Sequence, residues 1–310
     1  MNKVENLFSR YQKLKLSEQC IMKTIIFGIN GQDGYYLKEI CQKKHIEVLG
    51  ISRSFGEWKN RSVGNFSFVE NLIKNEQPEY IFHLAANSTT KHDALFENHE
   101  TISTGTLNIL EAVKRHSPDS RVFITGSGVQ FKNEGMPIKE TDEFEANSPY
   151  SVARIQSVYA ARYYRSLGLK VYVGYLFHHE SPLRKSTHIS KIIIDAVKRI
   201  ANGSNEKIIL GDISVKKEWA FAGDIVEGIV TLVDQDKIFE ACIGTGEAYS
   251  IQNWLEICFS RIHKDWTEYV TLKESFQPEY KMLVSDPSTI NSIGWRPKIN
   301  FENLCKIMLE

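Results

Sequence analysis

The stretch that decides the fold is residues 23–44, KTIIFGINGQDGYYLKEICQKK. Its first part, 23–29, is a short apolar run that predicts a buried strand, and 34–44 is predicted to be a helix. Between them Gly28, Gly31 and Gly34 allow a tight turn and a close backbone approach, at a helix N-terminus whose free N–H groups suit a pyrophosphate. The stretch predicts a dinucleotide-binding βα unit, although turn glycines can also have a purely conformational role.

The pattern of strand followed by helix continues along the chain. Further strands are predicted at 46–52, 78–86, 120–126 and 170–177, and further helices at 97–116 and 148–167. Such alternation indicates an α/β fold with a mostly parallel, doubly wound Rossmann-type sheet, covered by helices on both faces.

The predicted organisation has three parts. Residues 1–21 form an N-terminal extension, either a short amphipathic helix or a frayed segment. A Rossmann domain follows at 22–178. From 179 to 310 the pattern is less regular, with helices near 187–203, 222–235 and 250–262, which predicts a smaller C-terminal substrate-binding lobe with segments that return to the Rossmann domain.

The composition excludes several classes of protein. Thirty-eight basic residues balance thirty-eight acidic residues, so the chain has no overall field for nucleic acid or an anionic membrane. The five cysteines form no close-spaced pair, which predicts neither a disulfide framework nor a metal site. The chain has no apolar run of about 20 residues and no secretion signal. We therefore expect a soluble, cytoplasmic protein with reduced thiols.

The residue after the second strand bears on the choice of cofactor. An acidic side chain there would accept a hydrogen bond from a ribose 2′-OH, but this chain has Arg53, whose cation can pair with a 2′-phosphate. NADP(H) is therefore favoured, and NAD(H) remains possible because Arg53 can also be a solvated loop arginine.

Candidate hydride chemistry lies in SPYSVARIQS, residues 148–157. Tyr150 and Arg154 are four residues apart on a predicted helix and share a face. A tyrosine is a useful acid or base near neutral pH when a cation stabilises its phenolate, which Arg154 can do, although an arginine cannot itself give up a proton. The alternative is a buried helix-face tyrosine beside an arginine whose head reaches water.

Several segments, taken in order, resemble the GDP-mannose 4,6-dehydratase family, within the extended short-chain dehydrogenase/reductases. They are GINGQDGYYL (28–37), HLAANS (83–88), SPYSVAR (148–154), LFHHESPLR (176–184), KKEWAFAGDIVEGI (216–229), GTGEAYSI (244–251) and GWRPKINFENL (294–304). The resemblance implies a nicotinamide cofactor, a GDP-linked nucleotide-diphosphate sugar as substrate, and assembly into homodimers or homotetramers.

The resemblance also implies roles for individual residues. The cofactor-binding positions that it indicates, together with those argued above, are Gly28, Asn30, Gly31, Gln32, Asp33, Gly34, Arg53, Ser54, Leu84, Ala85, Ala86, Ser88, Tyr150, Arg154, His179 and Arg184. The substrate-binding positions are Asn87, His178, Glu180 and Lys217. A cation such as Lys217 suits a diphosphate on physical grounds as well. His179 can equally be a structural histidine at a strand end.

The chain departs from the family where dehydration chemistry is expected. In the family, the strand before the active tyrosine ends in a Thr-Ser-Glu type of sequence. This chain has TGSGV at 125–129 in that place. In one register Gly126 and Gly128 replace the hydroxyl and the glutamate; in the other Ser127 restores a hydroxyl, but Val129 replaces the glutamate. Neither register supplies the carboxylate, and dehydration requires an acid/base. Asn30 and His178 also replace the family's usual Thr and Asn.

Three hypotheses follow from these residues. The leading one is hydride transfer at the sugar C4, with Tyr150 as acid/base, Arg154 stabilising its phenolate, and Ser127 bonding the same oxygen. The second is 4,6-dehydration in which Glu134 or His179 replaces the missing carboxylate. The third is a non-catalytic binding protein that regulates or scaffolds a related enzyme.

Overall fold

The computed structural model describes residues 22–54 and 56–310. The predicted N-terminal extension, 1–21, lies outside the described residues. In the described part the strands are β1 Lys23–Phe27, β2 Glu47–Ser52, β3 Lys59–Asn60, β4 Tyr80–His83, β5 Arg121–Ser127, β6 Lys170–Leu176, β7 His179–Glu180, β8 Ile208–Leu210, β9 Lys216–Lys217, β10 Ala220–Phe221, β11 Glu240–Ile243, β12 Tyr249–Ser250, β13 Val270–Leu272 and β14 Met282–Leu283.

The helices lie between these strands and after them. They are α1 Gln32–Lys43, α2 Phe66–Glu76, α3 Leu95–Asn98, α4 Gly105–His116, α5 Pro149–Ser166, α6 Ile189–Ala201, α7 Ala222–Val233, α8 Ile251–Ser260, α9 Ser288–Ser292 and α10 Phe301–Leu309. A π-helical segment, His99–Thr104, joins α3 to α4, and short 3-10 helices lie at His92–Ala94, Gly128–Gln130 and Trp266–Glu268.

Seven strands form the central sheet in the order β11-β6-β5-β4-β1-β2-β3, and all six neighbouring pairs are parallel. The chain adds strands on one side of β1 and then crosses to β4 on the other side. Such a reversal opens a crevice at the carboxyl ends of the strands, where dinucleotides bind in this class of fold. The predicted Rossmann-type, doubly wound sheet is confirmed.

The two faces of the sheet bury alternate residues of each strand. On β1, Ile25 and Phe27 face α2, α4 and α5, whereas Ile26 faces α1 and α7. All three side chains are 1% exposed or less, so both faces of the strand are covered. This double covering explains why the strand is a continuous apolar run in the sequence.

The later part of the chain builds a second hydrophobic cluster with its own small sheets, β12-β9-β14 and β13-β8. At its centre Trp219 stacks on Trp254, with ring centroids 4.7 Å apart and planes 13° from parallel. β11 and α7 instead belong to the central sheet and its helical layer, since β11 pairs with β6.

The structure differs from the predicted elements in three places. The region 54–77, for which no element was predicted, contains β3 and α2; the α2 start is capped by Asn65, whose side chain accepts from the Phe68 N–H at 2.9 Å. The strand predicted at 78–86 is shorter than expected, because residues 84–86 leave the sheet to line a cleft. The helix predicted at 97–116 contains the π-helical segment.

Candidate functional site

The glycine loop after β1 has the close backbone contacts that the sequence predicts. Gly28 has φ +95°, and a Cβ on it would lie 2.6 Å from the Ala85 backbone nitrogen on the neighbouring strand-end loop. A Cβ on Gly34 would lie 2.5 Å from the Gly28 carbonyl oxygen. Neither position can carry a side chain unless the backbone moves. The absence of side chains at these two positions lets α1 begin directly beside the loop.

A cleft of about 580 Å³ opens above this loop at the carboxyl edge of β1 and β4. Of the residues that the sequence assigned to the cofactor, those lining it are Gly28, Asn30, Gly31, Arg53, Ser54, Leu84, Ala85 and Ala86. Ser88 lies in the same loop as the last three but is exposed. A glycine-rich loop at the start of a helix fits the pyrophosphate of a dinucleotide cofactor.

One end of the cleft carries positive side chains. Arg53 Nη2 donates to Glu97 Oε1 at 2.6 Å, and the Asn87 amide donates to the other oxygen of Glu97 at 2.7 Å. Hydrogen bonds from Arg53 and Asn87 lower the pKa of Glu97. Arg61 and Lys185 also line the cleft. Asn87, which was predicted to bind substrate, therefore lies beside Arg53, the cation predicted to pair with a 2′-phosphate. Glu97, which joins the two, was not predicted from the sequence.

The start of α1 is tied to β7 by a buried ion pair. His179 Nδ1 lies 2.6 Å from the Phe177 carbonyl and its Nε2 lies 3.0 Å from Asp33 Oδ1. A carbonyl only accepts, so Nδ1 carries a proton and Nε2 can donate to the carboxylate only in the imidazolium form. Burial opposes both charges, but their contact outweighs it: the pKa of His179 is raised and that of Asp33 lowered.

Gln32 strengthens the same connection. Its amide nitrogen donates to the His179 carbonyl at 3.1 Å, and its amide oxygen accepts from the Ser181 hydroxyl at 3.0 Å. The side chains of Gln32 and Asp33, both predicted to bind cofactor, thus contact the segment after β6. Within the protein they hold the glycine loop against the crossover into the second cluster.

The ion pair predicts a pH-dependent stability. His179, with its raised pKa, stabilises the fold below about pH 6.5 and loses this effect as the pH rises through its folded value; Asp33, with its lowered pKa, stabilises it above about pH 3.8. Asp33→Asn should therefore lower the free energy of unfolding by about 1.5–3 kcal/mol near pH 5.5, with a smaller loss near pH 9. Urea unfolding of both proteins at the two pH values measures this. His179→Gln should give the same profile, and an equal loss at both pH values would contradict the ion pair.

Tyr150 and Arg154 meet at the start of α5, but through the ring rather than the hydroxyl. The guanidinium carbon lies 5.0 Å from the centroid of the Tyr150 ring. Arg154 Nη1 also donates to the Thr125 carbonyl at 2.6 Å, and Arg154 is only 2% exposed. The charge is therefore fixed over the face of the ring.

Tyr150 belongs to a small apolar cluster that contacts both the cofactor cleft and a second cavity. The cluster contains Tyr150, Ile102 and Ala153, and Ala86 and Val129 pack against it. Ala86 lines the cofactor cleft, and Val129 lines a cavity of about 350 Å³. The cluster thus lies behind one wall residue of each opening.

At the junction of β5 and the short helix Gly128–Gln130, buried aromatic rings occupy the space where larger side chains would lie. A Cβ on Gly126 would lie 2.5 Å from Tyr175 Cδ1, and a Cβ on Gly128 would lie 2.7 Å from Phe177 Cε1. Both aromatic rings are buried. Ser127, the predicted hydroxyl, ends β5 half-buried, and its backbone N–H donates to Gln130 Oε1 at 2.9 Å. Tyr175 and Phe177 fill the space of a hydroxyl residue and a glutamate.

Restoring the family's glutamate should therefore damage the fold. Gly128→Glu is expected to lower the free energy of unfolding by about 1–3 kcal/mol because its Cβ overlaps the Phe177 ring. Adding Phe177→Leu should recover part of this loss, although Phe177→Leu alone destabilises the protein. Denaturant unfolding of the four proteins measures the coupling. A Gly128→Glu protein as stable as the wild type would show that the loop opens freely.

The second cavity is lined by polar side chains from both parts of the chain. The lining residues are Thr90, Val129, Phe131, Asn133, Glu134, Gly135, Glu145, Asn147, Glu279, Tyr280, Lys281, Met282 and Leu283. Asn147 precedes α5, and its side-chain oxygen accepts from the Ser151 hydroxyl at 3.1 Å. Glu134, one of the two predicted replacement acids, faces this cavity but pairs with Lys132 at 2.8 Å and is largely exposed.

Buried ionisable groups cluster beside this cavity. Tyr280 Oη and His178 Nε2 lie 3.3 Å apart, and Leu283 pairs with Lys217 in the strand register. Burial, and then the charges of Lys217 and Arg184, hold the pKa of His178 well below its usual range. Burial lowers the pKa of Lys217 to about 8, and its ammonium lies 4.5 Å from the Trp219 ring centroid.

Two further predicted residues pair with each other in this cluster. Arg184 Nε and the buried Glu180 Oε2 lie 3.2 Å apart, without a hydrogen-bonding angle. Arg184 Nη2 also lies 3.0 Å from His188 Nδ1, and burial and then the Arg184 charge lower the pKa of His188 to about 4. Sequence reasoning missed His188, although it is only four residues from Arg184.

Within residues 22–54 and 56–310, no group of three or more His, Cys, Asp or Glu side chains could hold a metal ion. The same part of the chain contains no helix that is both long and apolar enough to cross a membrane.

The sequence is similar to known proteins over most of its length. The sequence pattern of the family described as GDP-mannose 4,6 dehydratase matches residues 25–308. GDP-mannose 4,6 dehydratase 1 of Arabidopsis thaliana is 29% identical over 318 residues, which cover 92% of this chain and 88% of that protein.

Solved structures share the fold. The NAD complex of UDP-glucose 4-epimerase from Thermus thermophilus is 18% identical, with a TM-score of 0.78 over 93% of this chain and 98% of that one. RMD from Pseudomonas aeruginosa, complexed with NADPH, is 18% identical, with a TM-score of 0.80 over 93% and 97% of the two chains.

Proposed function

Because this chain belongs to the GDP-mannose 4,6 dehydratase family, we propose that it transfers hydride at C4 of a nucleotide-diphosphate sugar, GDP-linked as in the family's name. The general class is a sugar-nucleotide oxidoreductase or dehydratase that uses NAD(P). The observation that carries the specific proposal is the position of Tyr150 in a cluster that contacts Ala86 of the cofactor cleft and Val129 of the second cavity. A sugar in the second cavity would meet the cofactor across this tyrosine.

The cofactor would lie in the cleft, with its pyrophosphate at the glycine loop and α1. The relatives in solved structures hold NAD or NADPH. Arg53, Arg61 and Lys185 line one end of the cleft, and this concentration of positive charge favours NADP(H) because of its 2′-phosphate. NAD(H) remains the alternative. A bound nicotinamide supplies the hydride acceptor and donor.

The protein supplies proton transfer and orientation. Tyr150 takes the proton from the sugar C4 hydroxyl when that carbon is oxidised and returns it in the reverse direction. Arg154, fixed over the ring by its bond to the Thr125 carbonyl, stabilises the phenolate that forms. The Ser127 hydroxyl bonds the same sugar oxygen. Because Arg154 is buried, its charge is little screened by water.

The diphosphate would be held by the cations beside the second cavity, Lys217 and Arg184. With a pKa of about 8, Lys217 is charged at neutral pH and loses its charge as the pH rises further. Lys217→Met is expected to raise the Kd for GDP-mannose about 10- to 100-fold near pH 7 by removing a charged hydrogen bond, and much less near pH 9.5. Isothermal titration measures this. The exposed neighbour Lys216, changed to Met, is the control, and a Kd ratio that does not vary with pH would contradict the assignment.

Product analysis tests the reaction itself. Incubation of the enzyme with GDP-mannose and NADP⁺ is expected to yield NADPH and a 4-keto sugar that retains its C6 hydroxyl. Absorbance at the NADPH band and mass spectrometry of the nucleotide sugar distinguish the outcomes. A 4-keto-6-deoxy product would instead establish the full dehydration.

Dehydration is the second candidate, and a specific observation favours it. Three carboxylates, Glu134, Glu145 and Glu279, line the second cavity, so the family's missing glutamate has potential substitutes. Of the two residues predicted as replacements, His179 is engaged by Asp33 and the Phe177 carbonyl. Glu134 is engaged by Lys132.

We also propose a homodimer formed through α4 and α5. Leu107 on α4 is 48% exposed, and Tyr159 and Tyr163, one turn apart on α5, are 59% and 60% exposed. Such large apolar side chains on adjacent helices are typical of an association surface. Sedimentation equilibrium should give a dimer mass that falls to a monomer in the Tyr159→Glu, Tyr163→Glu double variant. The thiols of Cys41, Cys242, Cys258 and Cys305 are buried and not oxidised to disulfides, even where Cys258 Sγ and Cys305 Sγ lie 3.3 Å apart, which supports a reducing, cytoplasmic location.

A further inference from the structure

We propose that Glu145 is the carboxylate that acts on the sugar in the second cavity, taking the proton from C5 once C4 is a ketone. This inference rests on the proposed nucleotide-sugar function and extends it from C4 to C5. It gives the site the acid/base that Gly126, Gly128 and Val129 do not supply.

The chain brings Glu145 to the altered loop by an antiparallel bridge. Phe131 pairs with Phe144, and the Glu145 N–H donates to the Gln130 carbonyl at 2.9 Å. Glu145 therefore lies directly across from Gln130, two residues after the glycine that replaces the family's glutamate. The bridge returns a carboxylate to this loop from another part of the chain.

The walls of the cavity connect Glu145 to the predicted acid/base. Val129 and Asn147 line the cavity together with Glu145. Val129 packs against the cluster containing Tyr150, and the side chain of Asn147 is bonded to Ser151, the residue after Tyr150. A sugar ring in this cavity would thus have Glu145 on its boundary and the Tyr150 cluster behind Val129, which brings both groups to one end of the cavity for a reaction at adjacent carbons.

The other two carboxylates of the cavity are already engaged. Glu134 pairs with Lys132 at 2.8 Å, and Glu279 accepts from the Thr90 hydroxyl at 2.5 Å. Among the described residues no side-chain hydrogen bond or close ion pair holds the exposed Glu145, although the charge of Lys132 also acts on it. A carboxylate that is free to accept a proton is the one suited to a general base.

The proposed step conserves atoms and electrons within the sugar. The C5–H bond breaks and its proton moves to the Glu145 carboxylate, while the electron pair forms the enolate of the C4 ketone. If the C6–O bond then breaks, Glu145 returns the proton to the departing hydroxyl and water leaves, with a double bond between C5 and C6. No oxidant or reductant is consumed in this step.

The test separates C5 chemistry from hydride transfer. GDP-4-keto-6-deoxymannose is incubated with the enzyme in D₂O, and NMR follows the loss of the C5 proton, with the non-enzymatic exchange at C3 as an internal reference. Glu145→Gln is expected to reduce the enzymatic C5 exchange by about 10²-fold or more. Glu143→Gln, an exposed position two residues away that does not line the cavity, should leave it within about threefold of the wild type.

The outcomes are distinct. C5 exchange that persists in Glu145→Gln, or a wild-type enzyme that catalyses no C5 exchange, overturns the role of Glu145. The proposed function fails separately if GDP-mannose and NADP⁺ give neither NADPH nor a 4-keto nucleotide sugar, because C5 exchange on the ketone needs no cofactor reduction. Titration of GDP-mannose into Glu145→Gln should give a Kd close to the wild-type value, which would show that the lost exchange reflects chemistry. If the Kd instead rises by the same factor by which the exchange rate falls, Glu145 contributes to binding and not to proton transfer.

Discussion

Replacing Tyr150 by phenylalanine is expected to reduce turnover of the nucleotide sugar by about 10²- to 10⁴-fold, the usual contribution of a positioned acid/base. The change removes one oxygen and leaves the ring, so the packing against Ala86 and Val129 and the contact with Arg154 should persist. Steady-state formation of NADPH measures the loss. Binding of NADPH and of GDP-mannose should change little.

Tyr164→Phe is the matched control, because this tyrosine lies on the same helix and its hydroxyl bonds Glu111 at 2.7 Å. It should lower stability slightly and leave turnover unchanged. If Tyr150→Phe retains the wild-type rate, Tyr150 is not the acid/base. If the wild type binds both ligands but shows no turnover, the chain is a binding protein that regulates or scaffolds a related enzyme.

Replacing Gly28 by valine is expected to abolish NADPH binding and to lower the free energy of unfolding by about 3 kcal/mol or more. The new Cβ would lie 2.6 Å from the Ala85 backbone nitrogen, at a φ of +95° that valine rarely adopts. Backbone cannot yield as a flexible side chain can, so the loop must move away from β4. NADPH fluorescence titration and thermal unfolding measure the two effects.

Two other glycines separate the causes of this effect. Gly135→Ala has a φ of +78° and open surroundings, so it should cost about 1 kcal/mol and leave cofactor binding intact. Gly31→Ala, at an ordinary φ of −78°, should fold and still weaken NADPH binding, because its Cβ enters the cleft. If Gly28→Val binds NADPH normally, the glycine loop does not hold the cofactor.

The sheet could be predicted because its signals are local. Residues 23–44 carry both the buried strand and the loop glycines, and β2, β4, β5 and β6 are largely apolar runs of their own, whereas β3, Lys59–Asn60, is not. Strand ends were less certain, because residues 84–86 are as apolar as the strand before them and leave the sheet to line the cleft. The omission of α2 was avoidable, since Asn65 is a recognisable N-cap before the apolar positions Val69, Leu72 and Ile73.

Only part of the site could be predicted from the sequence, because some of its contacts are local and others join distant parts of the chain. Tyr150 and Arg154 are one turn apart, so their proximity follows from helical spacing. Glu97, by contrast, reaches Arg53 across 44 positions of the chain, and Glu145 faces the β5 loop through an antiparallel bridge. Contacts of this kind depend on the tertiary path of the chain, and no local pattern of residue types encodes them.

The packing of Tyr175 and Phe177 against Gly126 and Gly128 limits the order in which substitutions can accumulate. A side chain at either glycine would meet an aromatic ring, so a first substitution there carries the steric cost before any catalytic gain. Shrinking the ring first instead leaves a cavity in the core. The effect of each replacement thus depends on the other, and this epistasis makes the altered catalytic loop difficult to reverse one residue at a time.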